Sequence, residues 1–276
     1  MKEAVVIVHR HLLLLLSLLS LPVLSSPARA TDPPPDPPTA NRVVNIDTAA
    51  IAQKGKVDGS VDMRFLSGDE NRTIGSISLR YGVLSHLEAG IRATTGLTRS
   101  FTAENGSVIR YGGRDTEIYA KYGLPDYHGA RFALQGGLSF PATPAQHNTT
   151  GTFGAMGEIS LFDRAVFYVN PRAVFLDSNS LVGVGIGTSV RICDRVHLIG
   201  DWTPIVSGRN TISTVDATRA RGDVWGVAVR LTTSGGGWHY DLDLGYSNAI
   251  GSTTGTSLTP SLGGSSGFYF ALRARP

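Results

Sequence analysis

The chain has 276 residues, of which 41% are hydrophobic and 17% are charged, and these proportions exclude an intrinsically disordered protein. Its single cysteine excludes a disulfide framework and any zinc or iron–sulfur site that needs several cysteines. The net charge is +3. Without the leader described next, 22 basic and 21 acidic residues leave a net charge of +1, so we expect no nucleic-acid partner.

Residues 1–30 have the features of a secretory signal peptide. Lys2 and Arg10 make its beginning basic, and a mostly apolar run of 13 residues follows at 12–24. That run is too short to cross ~30 Å of hydrocarbon as a helix, and Ala28-Arg-Ala30 fits a cleavage site. A short N-terminal membrane anchor is the alternative. Residues 31–40 are rich in proline and predict an extended periplasmic spacer.

From residue 56 onward, apolar and polar side chains alternate with a period of two. In Trp238–Tyr246 the even positions are aromatic or leucine, and the odd positions are His, Asp, Asp and Gly. Successive side chains of a strand point to opposite faces, so this pattern predicts strands with one apolar and one polar face. We predict about twelve strands, at residues 56–66, 73–83, 86–96, 115–123, 129–140, 152–162, 165–176, 181–192, 195–205, 223–233, 237–247 and 266–275.

The links between these strands alternate between short and long. The links at 67–72, 97–114, 141–151, 206–222 and 248–265 are mostly long and polar, whereas those between them are short. Outer-membrane barrels have short periplasmic turns and longer external loops. With an even strand number and a leader, this pattern predicts an all-β, transmembrane, antiparallel up-and-down β-barrel at residues 41–276, in the outer membrane of a Gram-negative-type bacterium. A soluble protein with half-buried strands is the alternative.

Several segments resemble a bacterial outer-membrane β-barrel family of unknown function and, more remotely, the barrel family named after the meta-pathway of phenol degradation. The segments are Asn41–Thr48, Lys54–Gly59, Leu79–Ile91, Val169–Phe175 and Asp194–Pro204. Residues 265–272 are similar to the C-terminal assembly signal of bacterial outer-membrane proteins. The resemblance implies a barrel that meets outer-membrane lipid and the outer-membrane assembly machinery. It implies no particular activity.

No familiar catalytic motif is present: the chain has no His-Glu-x-x-His, Gly-x-Ser-x-Gly or Walker sequence. We therefore predict no enzyme activity, no cofactor and no metal site. The run Gly183-Val-Gly-Ile-Gly187 lies inside a predicted strand, so it indicates close packing or barrel curvature rather than phosphate binding. Cys193 falls at a predicted turn and is interpreted as incidental.

The polar face of the predicted strands carries eight acidic and ten basic residues. The acidic ones are Asp58, Asp62, Glu88, Glu117, Glu158, Asp201, Asp241 and Asp243. The basic ones are Arg64, Arg80, Arg92, Lys121, Arg131, Arg172, Arg191, Arg230, Arg273 and Arg275. A pore with a simple charge filter would show one dominant sign. The nearly equal numbers of acidic and basic residues predict either a salt-bridged structural interior or a solute-binding path along the lumen.

These features favour a narrow passive channel for a small, unidentified solute, with a charged, arginine-rich lumen. Two alternatives stay open. The first is a structural or adhesion barrel whose loops meet partners, and the second is a membrane-embedded hydrolase.

Overall fold

The computed structural model describes residues 42–67, 72–96, 99–111, 114–127, 129–142, 148–161, 164–175 and 180–276. The predicted leader and proline-rich spacer lie outside these described residues. Within the described ranges, no helix has the length and apolar character needed to cross a membrane.

Twelve long antiparallel strands form the wall of the molecule in its described part. They are β1 (Val57–Leu66), β2 (Arg72–Leu84), β3 (Leu87–Gly96), β6 (Arg114–Gly123), β7 (Ala130–Ala142), β8 (Thr150–Leu161), β9 (Ala165–Phe175), β10 (Leu181–Cys193), β11 (Val196–Thr203), β15 (Val224–Gly235), β16 (Trp238–Ser247) and β17 (Gly267–Arg275). Short strands complete the numbering: β4 (Arg99–Thr102), β5 (Val108–Tyr111), β12 (Ile205–Ser207), β13 (Thr211–Ile212) and β14 (Arg219–Ala220).

The long strands close into a barrel. Each pairs with the long strands before and after it in the chain, and β17 pairs with β1, where Leu272 lies opposite Val61. After Pro204, which has no N–H to donate, the chain of β11 continues as β12 and still pairs with β10. The prediction of a twelve-stranded, antiparallel, up-and-down β-barrel is confirmed.

The two faces of the wall differ sharply in polarity. On β7, for example, Phe132, Leu134 and Leu138 are exposed on the outside, whereas Gln135 and Ser139 are buried on the inside. The same alternation repeats around the ring, so the outer surface is a continuous band of apolar side chains. A band of this kind is what transmembrane barrels present to lipid.

The barrel has one end with short turns and one end with long loops. Two-residue turns such as 85–86 and 194–195 lie at the first end, which we call the short-turn end. The connection between β16 and β17 lies at the opposite, long-loop end and spans residues 248–266. This infolded loop contains helix α1 (Thr254–Ser257) and a 3-10 turn (Leu262–Gly264), and most of its side chains from 248 to 262 are buried.

Residues 42–53 form a second buried element, which we call the interior segment. It begins with a tight turn in which the Val43 amide donates to the carbonyl of Ile46 at 3.0 Å. The chain then continues to the short-turn end, where Lys54 pairs with Gly82 before β1 begins. The sequence prediction assigned these residues to the barrel domain, and the structure places them inside the barrel rather than in its wall.

Two hairpins meet across the long-loop end. Strands β4 and β5 form one hairpin, between β3 and β6, and β13 and β14 form the other, between β11 and β15. These departure points are six strands apart in the ring of twelve, so the hairpins come from opposite sides. At their tips the amides of Glu104 and Asn105 donate to the carbonyls of Thr214 and Val215, at 3.0 and 3.1 Å.

Candidate functional site

The charged residues predicted to face inward lie in the barrel interior. Of these eighteen residues fifteen are buried, and Arg131, Arg191 and Arg275 are half-buried. The structure brings most of them around the interior segment or the infolded loop, and any role in binding a solute remains a prediction.

Wall carboxylates accept hydrogen bonds from the main chain of the interior segment. Asp201 accepts from the amides of Val44 and Asn45, at 2.9 and 2.6 Å. Further toward the short-turn end, Glu158 accepts from the Ala49 amide at 3.0 Å, and Glu88 accepts from the Ala52 amide at 2.7 Å. These acidic side chains therefore satisfy buried N–H groups, each of which is costly to leave unpaired.

Wall cations bind the carbonyl groups of the same segment. Nζ of Lys121 donates to the Ala50 carbonyl at 2.6 Å, and Nη1 of Arg80 donates to the same oxygen at 3.1 Å. In the turn, Arg172 donates to the Asn45 carbonyl at 2.9 Å. Arg230 donates to the carbonyls of residues 42 and 43, at 2.8 and 3.1 Å. Acidic side chains of the wall thus bind N–H groups of the interior segment, and basic side chains of the wall bind its C=O groups.

Two side chains of the turn add specific contacts. Nδ2 of Asn45 donates to Asp201 at 2.9 Å, and its Oδ1 accepts from the Ser247 hydroxyl at 2.9 Å. Asp47 accepts from Arg92 at 2.9 Å. Burial alone raises the pKa of Asp47, but Arg92 and then Arg42 lower it to about 2. Asp47 is therefore ionised at neutral pH and anchors the turn as an anion.

Glycines in the wall provide the space that this turn occupies. A Cβ on Gly226 would lie 2.5 Å from Cγ1 of Val44, and one on Gly185 would lie 2.5 Å from Cγ2 of Ile46. A Cβ on Gly183 would lie 2.6 Å from Cδ2 of Leu258 in the infolded loop. The glycine run predicted to serve close packing therefore accommodates apolar side chains that enter the interior from both ends.

The infolded loop is held by a separate group of wall residues. The amide of Thr254 donates to Glu117 at 2.8 Å and its hydroxyl donates at 2.7 Å. Arg172 donates to the Ser257 hydroxyl at 2.6 Å, and the Thr253 hydroxyl donates to Asp115. Arg172 thus contacts both the interior segment and the infolded loop, and the two elements also meet directly, because Arg42 donates to the Ser252 carbonyl at 2.8 Å.

Ion pairs connect the remaining predicted residues. Asp243 pairs with Arg230 and Arg273, Asp62 pairs with Arg64, and Glu158 pairs with Arg131. Glu88 pairs with Lys121 and Arg80, each at 3.1 Å. Longer contacts join Arg92 to Glu117 and Arg275 to Asp241, both at 3.8 Å, and Arg80 also lies 2.5 Å from Asp58. Guanidinium groups suit such a network because their planar fork can bind several acceptors at once.

Arg191 lies near the short-turn end of β10, where its amide donates to the Arg164 carbonyl at 2.7 Å. Cys193 was predicted at a turn; the structure places it as the last residue of β10, where it is exposed. In the part of the chain that the structure describes, no group of three or more His, Cys, Asp and Glu residues is arranged to hold a metal ion.

Sequence reasoning missed the residues that fill the interior. Thr253 and Thr254 lie in a predicted loop, and Arg42, Asn45 and Asp47 precede the first predicted strand, so none of them was expected to fill the interior. The available signal was the glycine run on β10. Three inward glycines on one strand leave a space that some other part of the chain must fill if the interior is closely packed.

The fold and the polar, occupied interior define a closed barrel of the outer-membrane type. No protein-family model matches the sequence, and no curated protein sequence matches it, so the predicted family resemblance stays a prediction. Among solved structures, the chain is similar to an outer-membrane channel from Pseudomonas putida F1, with a TM-score of 0.53 and 13% identity over 82% of this chain and 96% of that chain. At such low identity the similarity supports the fold alone.

Other solved barrels match with lower TM-scores. A KdgM porin matches with a TM-score of 0.46 and 9% identity, over 79% of this chain and 97% of that chain. LpxR from Salmonella typhimurium matches with a TM-score of 0.47 and 9% identity, over 80% of this chain and 99% of that chain.

Proposed function

We propose that this protein is an outer-membrane channel for small solutes, held closed in this conformation by the interior segment. It acts by passive passage, without catalysis or a cofactor. The observation that carries the proposal is a charged barrel interior occupied by the interior segment, which is attached to the wall by hydrogen bonds and to β1 by an exposed link.

The outer-membrane location is supported by the exterior of the barrel. Exposed apolar side chains surround the wall, and a water-soluble protein of this size rarely exposes a continuous apolar surface of such extent. The sorting of short turns and long loops to opposite ends agrees with the topology of outer-membrane barrels. The predicted leader supplies a route across the inner membrane.

Passage is supported by the chemistry of the interior. Buried charges contribute little net stability, and a closely packed apolar core usually stabilises a protein as well or better. A barrel that needed only a rigid core would therefore gain little from so many buried arginines and carboxylates. Once the interior segment is displaced, the same side chains line a polar, water-filled path through the barrel.

The link at residues 53–56 makes displacement testable. These residues are exposed, so a site for a specific protease can be placed between Gln53 and Lys54 after the barrel has folded around its own segment. Proteoliposomes that contain this variant should retain a trapped pentose before cleavage and release it after cleavage and a high-salt wash. Loss of the fragment is verified by mass, and the wild-type protein treated with the same protease is the control.

A structural or loop-mediated interaction barrel without transport is the second candidate, and the filled interior favours it. In that case the cleaved barrel should remain impermeable after the fragment has been removed. The predicted hydrolase alternative gains no support from the contacts of the described residues.

A further inference from the structure

The part of the interior segment nearest the short-turn end is bound through its main chain. We propose that this region of the passage is a binding site for peptides with small side chains, and that residues 48–52 occupy it as a built-in ligand. This inference rests on the proposed function, because it names the solute class that the open passage would take.

The hydrogen bonds between residues 48–52 and the wall are made by peptide groups. Glu158 and Glu88 accept from the amides of Ala49 and Ala52, at 3.0 and 2.7 Å. Lys121 and Arg80 donate to the Ala50 carbonyl, at 2.6 and 3.1 Å. Lys121 also lies 3.5 Å from the Thr48 carbonyl. Any peptide in the same conformation presents the same groups at the same places.

The arrangement of the four wall residues favours a peptide over other small solutes. Glu88, Lys121, Arg80 and Glu158 come from β3, β6, β2 and β8, and together they offer acceptors for N–H groups and donors for C=O groups along one path. A free anion or a free cation would meet both signs of charge at this site. A peptide carries one N–H donor and one C=O acceptor at almost every residue, and this wall binds both kinds of group.

The apolar surroundings restrict the side chains that fit. Ala49 packs against Ala133 and Met156, and Ile51 lies beside this cluster. A Cβ on Gly123 would lie 2.9 Å from Cγ1 of Ile51, so the wall leaves little room there. The site therefore favours alanine or a similarly small residue at the position of Ala49, and at the position of Ile51 it leaves no room for a side chain larger than isoleucine.

The turn at residues 42–47 has a different role. Its main chain is hydrogen-bonded to Asp201, Arg172 and Arg230, and in addition its own side chains make contacts. Asn45 donates to Asp201, Asp47 accepts from Arg92, and Ile46 fills the glycine-lined space. This turn anchors the built-in ligand, and a free peptide that lacks it can occupy the site only after the anchor has left.

The test uses the full chain with the protease site after Gln53, cleaved after refolding and washed free of its fragment. A fluorescent peptide with the sequence of residues 48–53 is titrated into the cleaved barrel in detergent, and anisotropy is measured. We expect saturable binding. The matched control is the same peptide with N-methyl groups at the positions of Ala49 and Ala52, which keeps every side chain and removes the two N–H donors. It should bind about 30-fold more weakly or worse.

A second variant distinguishes binding at this site from nonspecific peptide binding. Glu88→Gln should weaken binding of the parent peptide and leave the weak binding of the methylated peptide unchanged. Equal binding of both peptides, or equal competition by a neutral oligosaccharide of similar length, would overturn the inference. The readout does not depend on flux. If the cleaved barrel releases solute but binds no peptide, only this inference is wrong. If it binds the peptide but stays impermeable, only the proposed function is wrong.

Discussion

Asp201→Asn tests how firmly the interior segment is attached. Asp201 is buried and accepts three hydrogen bonds from the segment, from the amides of Val44 and Asn45 and from the side-chain amide of Asn45, at 2.9, 2.6 and 2.9 Å. The two main-chain donors share one carboxylate oxygen, and the side-chain donor uses the other. An asparagine at this position has only one acceptor atom, so in either orientation its NH₂ group faces at least one N–H donor.

The expected effect follows from these contacts. A hydrogen bond to a charged group contributes ~1.5–3 kcal/mol, and an orphaned buried donor costs ~1–3 kcal/mol. Water that enters beside the displaced segment recovers part of the loss. We therefore expect a net cost to docking of about 2–4 kcal/mol, which shifts the docking equilibrium by about 30- to 700-fold.

The shift can be measured through the reactivity of one buried position. Ala49→Cys places a thiol on the interior segment, where Ala49 is 5% exposed, in a background in which the native Cys193 is replaced by serine. A water-soluble maleimide reacts only when the segment leaves its site, so its rate reports the undocked fraction. Asp201→Asn should raise this rate by the factor given above, whereas Asp216→Asn, on an exposed hairpin, should leave it unchanged.

Two results would count against this reasoning. If Ala49→Cys reacts as fast as a free thiol in the otherwise unchanged protein, the segment is not docked. If it is protected but Asp201→Asn does not accelerate the reaction, the hydrogen bonds to Asp201 do not hold the segment.

Three further predictions concern the wall and the hairpins at the long-loop end. Gly226→Ala should expose the interior segment to labelling, because the added Cβ would lie 2.5 Å from it and overpacking costs ~1–3 kcal/mol. Ile186→Arg should lower the free energy of unfolding by ~2–4 kcal/mol in bilayers, because this side chain lies on the apolar exterior. Cysteines at Asn105 and Val215 should cross-link under oxidation, because the hairpin tips are hydrogen-bonded at 3.1 Å, and the bond should reduce solute release from the cleaved barrel.

Each of these predictions has a matched control. Gly136→Ala should be silent in the labelling assay, because a Cβ there would meet nothing within 4 Å. Ile186→Val keeps the exterior apolar and should unfold like the wild type, so equal costs for the valine and arginine variants would place Ile186 away from lipid. For the hairpins, a pair of cysteines at Asn105 and Phe175 should not cross-link, and efficient formation of that bond would show that the tips are not fixed opposite each other.

The wall could be predicted from the sequence because its signal is local. Alternation in a segment such as Trp238–Tyr246 is visible without knowledge of any distant residue, and loop lengths separate the two ends. The burial of Asp58, Asp243 and Arg230 followed from the same alternation. Strand ends were less well defined. The strand predicted to end at residue 205 ends at Thr203, because Pro204 interrupts the hydrogen bonds there.

The contents of the interior could not be predicted in the same way. Asp201, Glu158 and Glu88 were expected to pair with wall cations, and much of their bonding is instead to main-chain amides, which every residue carries and no pattern reveals. The tight turn that begins with Val43 is stabilised by contacts more than a hundred residues away in sequence, such as the one to Asp201. Such long-range partners leave no periodic trace in the segment itself.

The current through a single barrel while its interior segment is removed tests the central claim most directly. The variant with a protease site after Gln53 is inserted intact into a planar bilayer, and the protease is added on the side of the short turns under flowing salt solution. We expect no current at first, followed by discrete current steps as fragments leave. Persistent silence from inserted barrels whose fragments have left would contradict it, as would full conductance before any cleavage.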